Sequence, residues 1–595
     1  MICKRLTVKL FVILLSTLLF SCGQGDAAYS GNSPKTGEKT FNPTTPKEKL
    51  PLSTQVTLVA DKDIIPQKEE LVTFGLPLKQ GVVWNTQDIQ IMNGEIEMPA
   101  YVEPGLRWHW ADNSLRSVTI QLDKIDMTQG PVIVTITNTG QKLYEQQAKR
   151  PHLDGWVSAG KDKADMQYPR IFALHNPTYL AESHLVPPYL AAHMGDDYDQ
   201  YAFDQHQLWS GNLNFSESAS ANWLFDRSSS YFKLYMSSGR VEFLKEAILS
   251  KQYYFQFVRN DGTRPKQAGG DGCWQRKGVA CADGKYIAPQ QAKLAWALAG
   301  DNSQWTEKML VNMAKQADLG WNQYTCSADS IRNESFGFTE RSCGLTGLSH
   351  IAVYEMTGDK GVLKTLNNII HYLKMVQQNT FEWDKAYGWL PKSGAFTHDV
   401  EVHEGDERAS SAPKGDTNAQ GFSPWMSENI ADFLWQTYWI TGREDIPEML
   451  RQLGNAIENY GFTSNYDPNT KQHIRDPAFT GMYRTKSCNR EKESSEQLYF
   501  ASAYADAKAR AQDDWWPWYT DTHNIEIVLP LSAAYYFEND AQRKEKLQAR
   551  IDKLIYGWVN PKCAKISSTP RLFNWQHRSN AIRTWDWVKS HKEQP

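Results

Sequence analysis

The chain has 595 residues, enough for two or three domains with large cores. Its formal net charge is −4 and it has no concentrated basic stripe, which argues against a nucleic-acid partner. Aromatic residues make up 12% of the chain, and 22 of them are tryptophans. Because tryptophan and tyrosine combine an apolar face with a polar tip, this composition suits stacking on sugar rings as well as a large helical core.

The first 50 residues predict a signal peptide followed by a flexible tether. Residues 1–21 place basic residues before an apolar run, which is the pattern of a signal peptide. Cys22 follows Leu-Phe-Ser, and this register resembles the lipobox of bacterial lipoproteins, which implies acylation of Cys22. An ordinary secretory signal with an incidental cysteine is the alternative. Residues 22–50 are rich in Gly, Ser, Thr, Pro and Lys and predict a flexible tether.

No apolar run after Phe20 is long enough to span a bilayer, so we expect membrane attachment through the lipid alone. The expected location is the bacterial cell envelope, on the outer membrane or the periplasmic face. Without Cys3 and Cys22, six cysteines remain in an oxidising compartment. Nearest-neighbour pairing predicts the disulfides Cys273–Cys281, Cys326–Cys343 and Cys488–Cys563. A zinc site is the alternative, but these pairs lack CxxC spacing and a nearby histidine.

Residues 51–145 predict a small all-β domain, followed by a polar linker at 146–167. The strand-like segments alternate with Gly, Asn, Asp and Pro turns. In sequence they are QVTLVA, LVTFGLPL, DIQIMN, EIEMPAYV, LRSVTIQL and PVIVTIT.

Two of these segments, VTFGLP at 72–77 and RWHWADNSLR at 107–116, resemble motifs of a known family. They are similar to the RIFT-type β-barrel that opens exo-acting rhamnogalacturonan lyases and related secreted carbohydrate-active proteins. Asn113 stands where those proteins usually have Gly, and His109-Trp110 add an aromatic pair. The resemblance implies a β-barrel joined to a carbohydrate-active domain.

Residues 168–595 predict repeated helical hairpins. The clearest, at 422–460, has two amphipathic halves separated by Gly442, which suits the left-handed position that ends a helix. The same layout recurs at Gly239, Gly300 and Gly358 and, with Asn in place of Gly, at Asn539. The irregular intervals favour an (α/α) toroid with insertions, so the predicted fold class is multidomain α+β. An open solenoid is the alternative, and contact between the first and last hairpins distinguishes the two.

The entry into this helical region predicts a loop at 198–215 that carries Asp204, His206 and Trp209. A helix is expected at 216–237. Within it, Asp226-Arg227 is interpreted as a structural ion pair between helices.

Because the glycine turns are short, they should share one rim, and the long connections should share the other. Those connections are 259–286, 320–336, 379–421 and 463–521. Long loops in compact domains are commonly functional, so we expect the site on that rim. Trp223, Trp296 and Trp435 are expected in the helical core, whereas Trp209, Trp425, Trp515, Trp516 and Trp518 should lie on the rim.

The predicted first helices begin with polar residues, and their free N–H groups suit a uronic acid carboxylate. N-capping is the alternative; it explains Ser427, Glu340 and Glu428 but not Arg341 or His523. The substrate-binding candidates on the rim are His206, Trp209, Gln290, Glu340, Trp425, Glu428, Trp515 and Trp518.

A polysaccharide lyase removes the proton α to a uronate carboxyl group, so it needs a base, an acid and a carboxylate neutraliser. His403 or His523 is the candidate base and Tyr519 the acid, with Arg341 and Asn524 as neutralisers. We therefore expect β-elimination of an acidic polysaccharide.

Two alternatives stay open at this point. A glycoside hydrolase needs two carboxyl groups, which Glu340, Glu428, Asp521 or the acidic stretch 398–407 could supply. A non-catalytic glycan-binding lipoprotein needs only the aromatic platform. No cofactor is predicted; the acidic stretch is the best calcium candidate, although its spacing is not that of an EF-hand.

Overall fold

The computed structural model describes part of the chain. The described residues are 49–140, 143–160, 166–192, 196–210, 226–263, 287–318, 326, 340–378, 394–396, 398–399, 420–461, 466–467, 472–473, 525–559 and 570–591. The predicted signal peptide and Cys22 lie outside them, as does most of the four long connections.

The predicted strands form, and a few short ones follow. They are β1 Ser53–Ala60, β2 Glu70–Pro77, β3 Gln90–Asn93, β4 Ile96–Glu97, β5 Ala100–Pro104, β6 Ser117–Ile125, β7 Val132–Thr137, β8 Trp156–Ser158, β9 Gln167–Pro169, β10 Ile171–His175, β11 His398–Asp399, β12 Gln420–Gly421, β13 Tyr466–Asp467 and β14 Gln472–His473.

The strands between residues 53 and 175 pair into antiparallel sheets. One sheet has the order β10-β1-β7-β3-β4, another the order β2-β6-β5, and β8 pairs with β9. Val56 lies between Val134 and His175 in the first sheet. Within the described residues these sheets are separate and do not close into the predicted single barrel. Because β10 pairs with β1, this β region also extends past the predicted boundary at 145.

The rest of the described chain is helical. The helices are α1 Pro177–Glu182, α2 Asp197–Ser210, α3 Arg227–Ser238, α4 Val241–Phe255, α5 Gln290–Ala299, α6 Glu307–Asp318, α7 Glu340–Thr357, α8 Lys360–Gln377, α9 Pro424–Thr441, α10 Ile446–Tyr460, α11 Val528–Phe537, α12 Ala541–Val559, α13 Pro570–Arg578 and α14 Ala581–Ser590. No helix within the described residues combines the length and the apolar character needed to cross a bilayer.

Four predicted glycine turns are confirmed. Gly239, Gly300, Gly358 and Gly442 follow the first helix of their hairpins with φ between 65° and 76°. This left-handed conformation costs glycine little. The fifth turn lies where it was predicted, between the end of α11 at Phe537 and the start of α12 at Ala541, but Asn539 is not left-handed. There the Glu538 carboxylate accepts hydrogen bonds from the N–H groups of Asn539 and Asp540. These side-chain hydrogen bonds stabilise the turn without a left-handed glycine.

Two local predictions before α3 were also wrong. Residues 197–210 form α2 rather than a loop, because ion pairs with later helices fix its start: Arg240 binds Asp199 at 2.6 Å, and Arg583 binds Asp196 at 2.6 Å. In addition, Asp226 caps α3 from outside the helix, and its neighbour Arg227 pairs with Glu246. The ion pairs at the start of α2 join residues 41 and 387 positions apart, whereas the Asp226 cap is a local contact with Ser229.

The last hairpin contacts the first. The Ser230 hydroxyl donates to the Asn574 carbonyl oxygen at 2.9 Å, and the Tyr231 and Phe573 rings stack at 4.9 Å. The first helices of the other hairpins contact each other in turn, α3 with α5, α5 with α7, α7 with α9 and α9 with α11. This closure distinguishes a toroid from an open solenoid, as predicted.

The β region packs against the glycine-turn end of this ring. A Cβ added at Gly75 would lie 2.3 Å from the Ala297 carbonyl oxygen, and one at Gly300 would lie 2.9 Å from Thr119 Cγ2. A Cβ at Gly358 would lie 2.7 Å from His109 Nδ1. Three backbone approaches this close fix the strands onto the turns, so the end that carries the long connections is the one left for a ligand.

One ion cluster lies where the β region contacts the glycine-turn end of the ring. The Arg116 guanidinium pairs with Glu355 Oε1, and Lys293 Nζ lies 2.8 Å from Glu355 Oε2. The guanidinium also lies over the Trp108 and Trp110 rings, at 4.6 Å and 5.0 Å. The RWHWADNSLR motif therefore holds the β region on the helical ring.

The disulfide Cys326–Cys343 is present, with a Cα–Cα distance of 5.4 Å, and confirms one predicted pair. It connects α7 to the segment before it. The other two predicted pairs, Cys273–Cys281 and Cys488–Cys563, lie outside the described residues.

Candidate functional site

A polar stripe runs along the otherwise apolar helix α9. Glu428, Asp432 and Gln436 follow one another at intervals of four residues, so they share one face of the helix. All three are buried, with 0%, 2% and 1% of their surface exposed. Buried acids of this kind require partners inside the ring.

Arg578, at the end of α13, is the main partner. Its Nη1 lies 2.9 Å from Asp432 Oδ2, and its Nη2 lies 2.5 Å from Glu428 Oε2 and 3.0 Å from Asn429 Oδ1. Lys233 on α3 donates to the Arg578 carbonyl oxygen at 2.6 Å. We refer to Glu428, Asp432, Arg578 and Lys233 as the interior cluster; it joins three helices across the ring.

Burial and the neighbouring carboxyl groups favour the protonated form of the Glu428 side chain. Burial is the largest cause and raises the Glu428 pKa to about 8; Arg578 opposes it, and Asp432 and Glu526 add to it. One guanidinium serves two carboxyl groups, so one of them keeps its proton. Since Oε2 accepts from Arg578, the proton belongs on Oε1.

Several buried polar atoms around Glu428 complete no hydrogen bond of ordinary geometry with the described residues. These atoms are Glu428 Oε1, Ser427 Oγ, Ser579 Oγ and Arg578 Nε. The Ser579 hydroxyl lies close enough to favour the ionised form of Glu428. Buried polar atoms normally have partners, so this group fits water or the polar groups of a ligand.

One predicted residue joins the interior cluster from another helix. Gln290 Nε2 donates to Gln436 Oε1 at 3.2 Å, and Gln436 Nε2 donates to Asp432 Oδ1 at 2.9 Å. The structure thus connects Gln290 and Glu428, both predicted as substrate-binding, through Gln436, Asp432 and Arg578, which were not predicted.

Three further predicted residues lie at the same end of the ring. Glu340 Oε1 accepts from the Ser423 N–H at 2.7 Å, which ties the start of α7 to the start of α9. Arg341 follows it and is buried. Trp425 is also buried, and its ring meets that of Trp575 at 4.3 Å. These contacts place the three residues among the helix starts.

His206 lies away from the interior cluster, on α2. Its ring contacts the Tyr231 and Phe243 rings at 5.5 Å each. Burial, followed by the charge of Arg227, lowers the His206 pKa to about 4. Trp209 lies on the same helix, and its side chain is outside the described set.

The remaining predicted site residues lie outside the described part of the chain, so their roles stay predictions. They are His403, Tyr519, His523, Asn524, Trp515 and Trp518.

Sequence reasoning missed Arg578, Asp432, Lys233 and Gln436. The stripe on α9 carried a signal, since acids and amides at four-residue spacing interrupt a helix that is apolar on its other faces. Nothing in the sequence links Arg578 to α9, because the two are about 150 residues apart and only ring closure brings them together.

No group of three or more His, Cys, Asp or Glu among the described residues is arranged to hold a metal ion. Most of the acidic stretch proposed for calcium lies outside those residues. Within the interior cluster, Arg578 already pairs with the carboxyl groups of Glu428 and Asp432.

A cleft of about 540 Å³ lies on the outside of the ring, between α8, α10 and α12. Arg451, Arg543 and Lys546 line it, together with amide side chains. Arg451 is held by Glu448 at 2.7 Å, and the described residues that line the cleft include no aromatic side chain for stacking on a sugar.

No protein-family model matches this sequence, and no curated protein does. Two solved structures resemble the chain at 11% sequence identity. An unsaturated glucuronyl hydrolase mutant from Streptococcus agalactiae matches over 71% of this chain and 97% of its own, with a TM-score of 0.35. A family 76 glycoside hydrolase from a bovine Bacteroides thetaiotaomicron strain matches over 88% and 97%, with a TM-score of 0.37. Likeness at this level does not define a shared activity.

Proposed function

We propose that this protein cleaves glycosidic bonds of a uronic-acid-containing polysaccharide, with Glu428 as the proton donor to the leaving oxygen. The observation that carries the proposal is the buried Glu428 carboxyl group, whose pKa is raised to about 8 by burial and whose Oε1 completes no hydrogen bond of ordinary geometry with the described residues. A carboxylic acid that keeps its proton at neutral pH is what departure of a sugar oxygen requires.

The setting of Glu428 supports a sugar substrate. Trp425 and Trp575 lie one turn or less from Glu428 and Arg578 in sequence and pack together at 4.3 Å. The resemblance of the β region to that of carbohydrate-active proteins points to the same class of substrate.

Hydrolysis is the mechanism that the described residues favour. It needs one protonated and one ionised carboxyl group, and the interior of the ring contains several carboxyl groups in different surroundings.

Elimination is the second candidate. A neutral Glu428 would serve it equally well as the acid, and Arg341 lies at the same end of the ring to bind a uronate. Its base would be His403 or His523 and its other groups Tyr519 and Asn524, as the sequence predicts.

The test incubates the full-length chain, purified in detergent, with a panel of uronate polysaccharides. New reducing ends without near-ultraviolet absorbance indicate hydrolysis, and an unsaturated product that absorbs there indicates elimination. We expect Glu428→Gln to lower kcat on the best polysaccharide by about 10²- to 10⁴-fold. With an aryl glycoside whose leaving group needs no proton, the same variant should lose less than about tenfold.

Glu444→Gln, in the exposed turn between α9 and α10, is the matched control and should keep full activity. Full activity of Glu428→Gln on the polysaccharide would contradict the proposal. Equal losses on both substrates would mean that Glu428 does not act as the acid.

A further inference from the structure

Asp432 is the carboxyl group that shares Arg578 with Glu428. It lies one helical turn after Glu428 on α9, so the two residues are on the same face of the helix. Arg578 Nη1 lies 2.9 Å from Asp432 Oδ2, whereas Arg578 Nη2 lies 2.5 Å from Glu428 Oε2. The two ends of one guanidinium therefore contact two different carboxyl groups.

This split contact is not the strongest one that an arginine can make. A guanidinium pairs most strongly when two parallel N–H groups contact one carboxylate. Here Glu428 contacts Nη2 of Arg578, and Asn429 Oδ1 accepts from the same atom at 3.0 Å. Because Nη1 is directed to Asp432, part of the guanidinium is withheld from Glu428.

Both oxygens of Asp432 accept hydrogen bonds. Oδ2 accepts from Arg578, and Oδ1 accepts from Gln436 Nε2 at 2.9 Å. Two donors, one of them a cation, are the hydrogen-bond partners that suit an ionised carboxylate. The contacts thus make Asp432 the ionised member of the pair that it forms with Glu428.

Other helices hold Asp432 and Arg578 in place. Gln290, at the start of α5, donates to Gln436 Oε1 at 3.2 Å and so orients the amide that contacts Asp432. Lys233 on α3 donates to the Arg578 carbonyl oxygen at 2.6 Å. The distance between Asp432 and Arg578 is therefore set by four helices of the ring.

We propose that Asp432 is a positioning residue for the acid: it keeps Arg578 from pairing fully with Glu428, and its own negative charge holds the proton on the Glu428 carboxyl group. This inference rests on the proposed function and explains how the acid of that function stays protonated at neutral pH. Asp432 acts on Glu428 through Arg578 and takes no part in breaking the glycosidic bond.

The charges around Glu428 agree with this role. Burial is the largest cause and raises the Glu428 pKa to about 8; Arg578 lowers the pKa, and Asp432 raises it. The Ser579 hydroxyl also lowers it. The charged groups that face Glu428 come from α9 itself and from three packed segments: Asp432, Arg578, Lys233 and Glu526. Neutralising Asp432 would remove one like charge and leave the guanidinium to Glu428, and both changes lower the Glu428 pKa.

Asp432→Asn tests the inference, because it keeps the size of the side chain and removes its charge. We expect the alkaline limb of the kcat profile on the best polysaccharide to move to lower pH by about 1 to 3 units. The maximum kcat should stay within about tenfold of wild type, since the acid itself is intact. Asp432→Glu, which keeps the charge, should show a smaller shift than Asp432→Asn.

Two further variants complete the set. Gln436→Met removes the donor to Asp432 Oδ1 without changing any charge, and it should move the limb in the same direction by less. Asp445→Asn is the matched control, because Asp445 pairs with Arg443 at 2.7 Å in the turn after α9. This control should leave the pH profile unchanged.

A second measurement needs no substrate. The stability that the Glu428 proton contributes is lost as pH rises toward about 8, and the difference in Tm between wild type and Glu428→Gln follows that loss. When both chains also carry Asp432→Asn, the loss should be complete at a lower pH.

The outcomes separate this inference from the proposed function. An alkaline limb that does not move in Asp432→Asn, or in Gln436→Met where the first variant fails to fold, would overturn the role of Asp432. Beside an inactive Glu428→Gln, that result would leave Glu428 as the acid. Failure of wild type to cleave any chain would overturn the proposed function, and the Tm measurement would then decide whether Asp432 holds the proton on Glu428.

Discussion

Two of the buried ion clusters in the described part of the ring combine Glu, Arg and Lys, and they differ in the ratio of carboxyl groups to guanidinium groups. At the glycine-turn end, one carboxylate, Glu355, lies between two cations, Arg116 and Lys293. In the interior cluster, one guanidinium, Arg578, serves two carboxyl groups, Glu428 and Asp432. The first arrangement gives its carboxylate two cation partners, whereas in the second burial, together with the neighbouring carboxyl groups, raises the pKa of Glu428 to about 8.

The Glu355 and Glu428 carboxyl groups of the two clusters also differ in their hydrogen-bond partners. Both Glu355 oxygens have a cation partner, and Arg116 Nη2 donates to the His184 and Leu185 carbonyl oxygens at 3.0 Å. Glu428 Oε1 has no such partner among the described residues. The Nε atoms of Arg116 and Arg578 both lack a hydrogen bond among the described residues, so the two clusters differ in their carboxyl groups and not in their guanidinium groups.

The largest expected effect comes from neutralising one carboxyl group in each cluster. Glu355→Gln should lower the free energy of unfolding by about 3 to 5 kcal/mol, because Arg116 stays charged and buried without its counterion. Glu428→Gln should not lower it at neutral pH, because the folded chain already holds that carboxyl group uncharged and the variant takes up no proton on folding. Denaturant unfolding measures both. Similar losses in the two variants would contradict the difference between the clusters.

A smaller effect separates the turns that face the β region from one that does not. Gly442→Ala should cost about 1 kcal/mol for the left-handed backbone alone, since nothing lies within 4 Å of the added Cβ. Gly300→Ala carries the same cost plus overlap with Thr119 and the Phe74 backbone, for a total of about 2 to 4 kcal/mol. Thermal melts of the two variants compare them, and equal shifts in Tm would argue against the tight packing at Gly300.

The smallest expected effect is a pH dependence specific to the interior cluster. Between the unfolded Glu428 pKa of 4.5 and the folded value of about 8, the folded chain holds a proton that the unfolded chain releases. Stability from this group is therefore complete below pH 4.5 and decreases as pH rises through 8, with a slope of at most about 1.4 kcal/mol per pH unit. Glu428→Gln should reduce the loss of Tm between pH 6 and 8.

Exposed Glu444→Gln is the control for that measurement and should leave the pH profile of Tm unchanged. A wild-type slope that persists in Glu428→Gln would mean that another group carries it. A buried histidine affects stability at lower pH. Burial lowers the His577 pKa to about 3, so the contribution of this histidine to the free energy of unfolding is lost as pH falls below 6.5.

Much of the fold could be predicted, since the relevant signals are local. The strand segments before residue 137, the four glycine turns and the Cys326–Cys343 pair follow from alternation, helix-ending chemistry and short sequence separation. At Asn539 the same reasoning failed, because Glu538 supplied the turn bonds with its side chain. A carboxylate that accepts two N–H groups leaves no signature distinct from an ordinary helical Glu.

The candidate site could be predicted only in part. Gln290 and Glu428 were found because polar residues at helix starts are conspicuous in an apolar repeat. Arg578 was not, since a single arginine near the end of the chain has no pattern to mark it. Asp226 was expected inside a helix, and it instead precedes α3 as its N-cap with a left-handed backbone.

The sequence by itself determined the helical hairpins, their glycine turns and the polar character of the helix starts, because periodicity and turn chemistry act over a few residues. Only the tertiary structure decided that the β region covers the turn end and that Arg578 meets Glu428 and Asp432. The physical reason is that proton affinity in a buried site depends on the number of opposite charges within a few ångströms. Ring closure sets that number by joining residues about 150 positions apart.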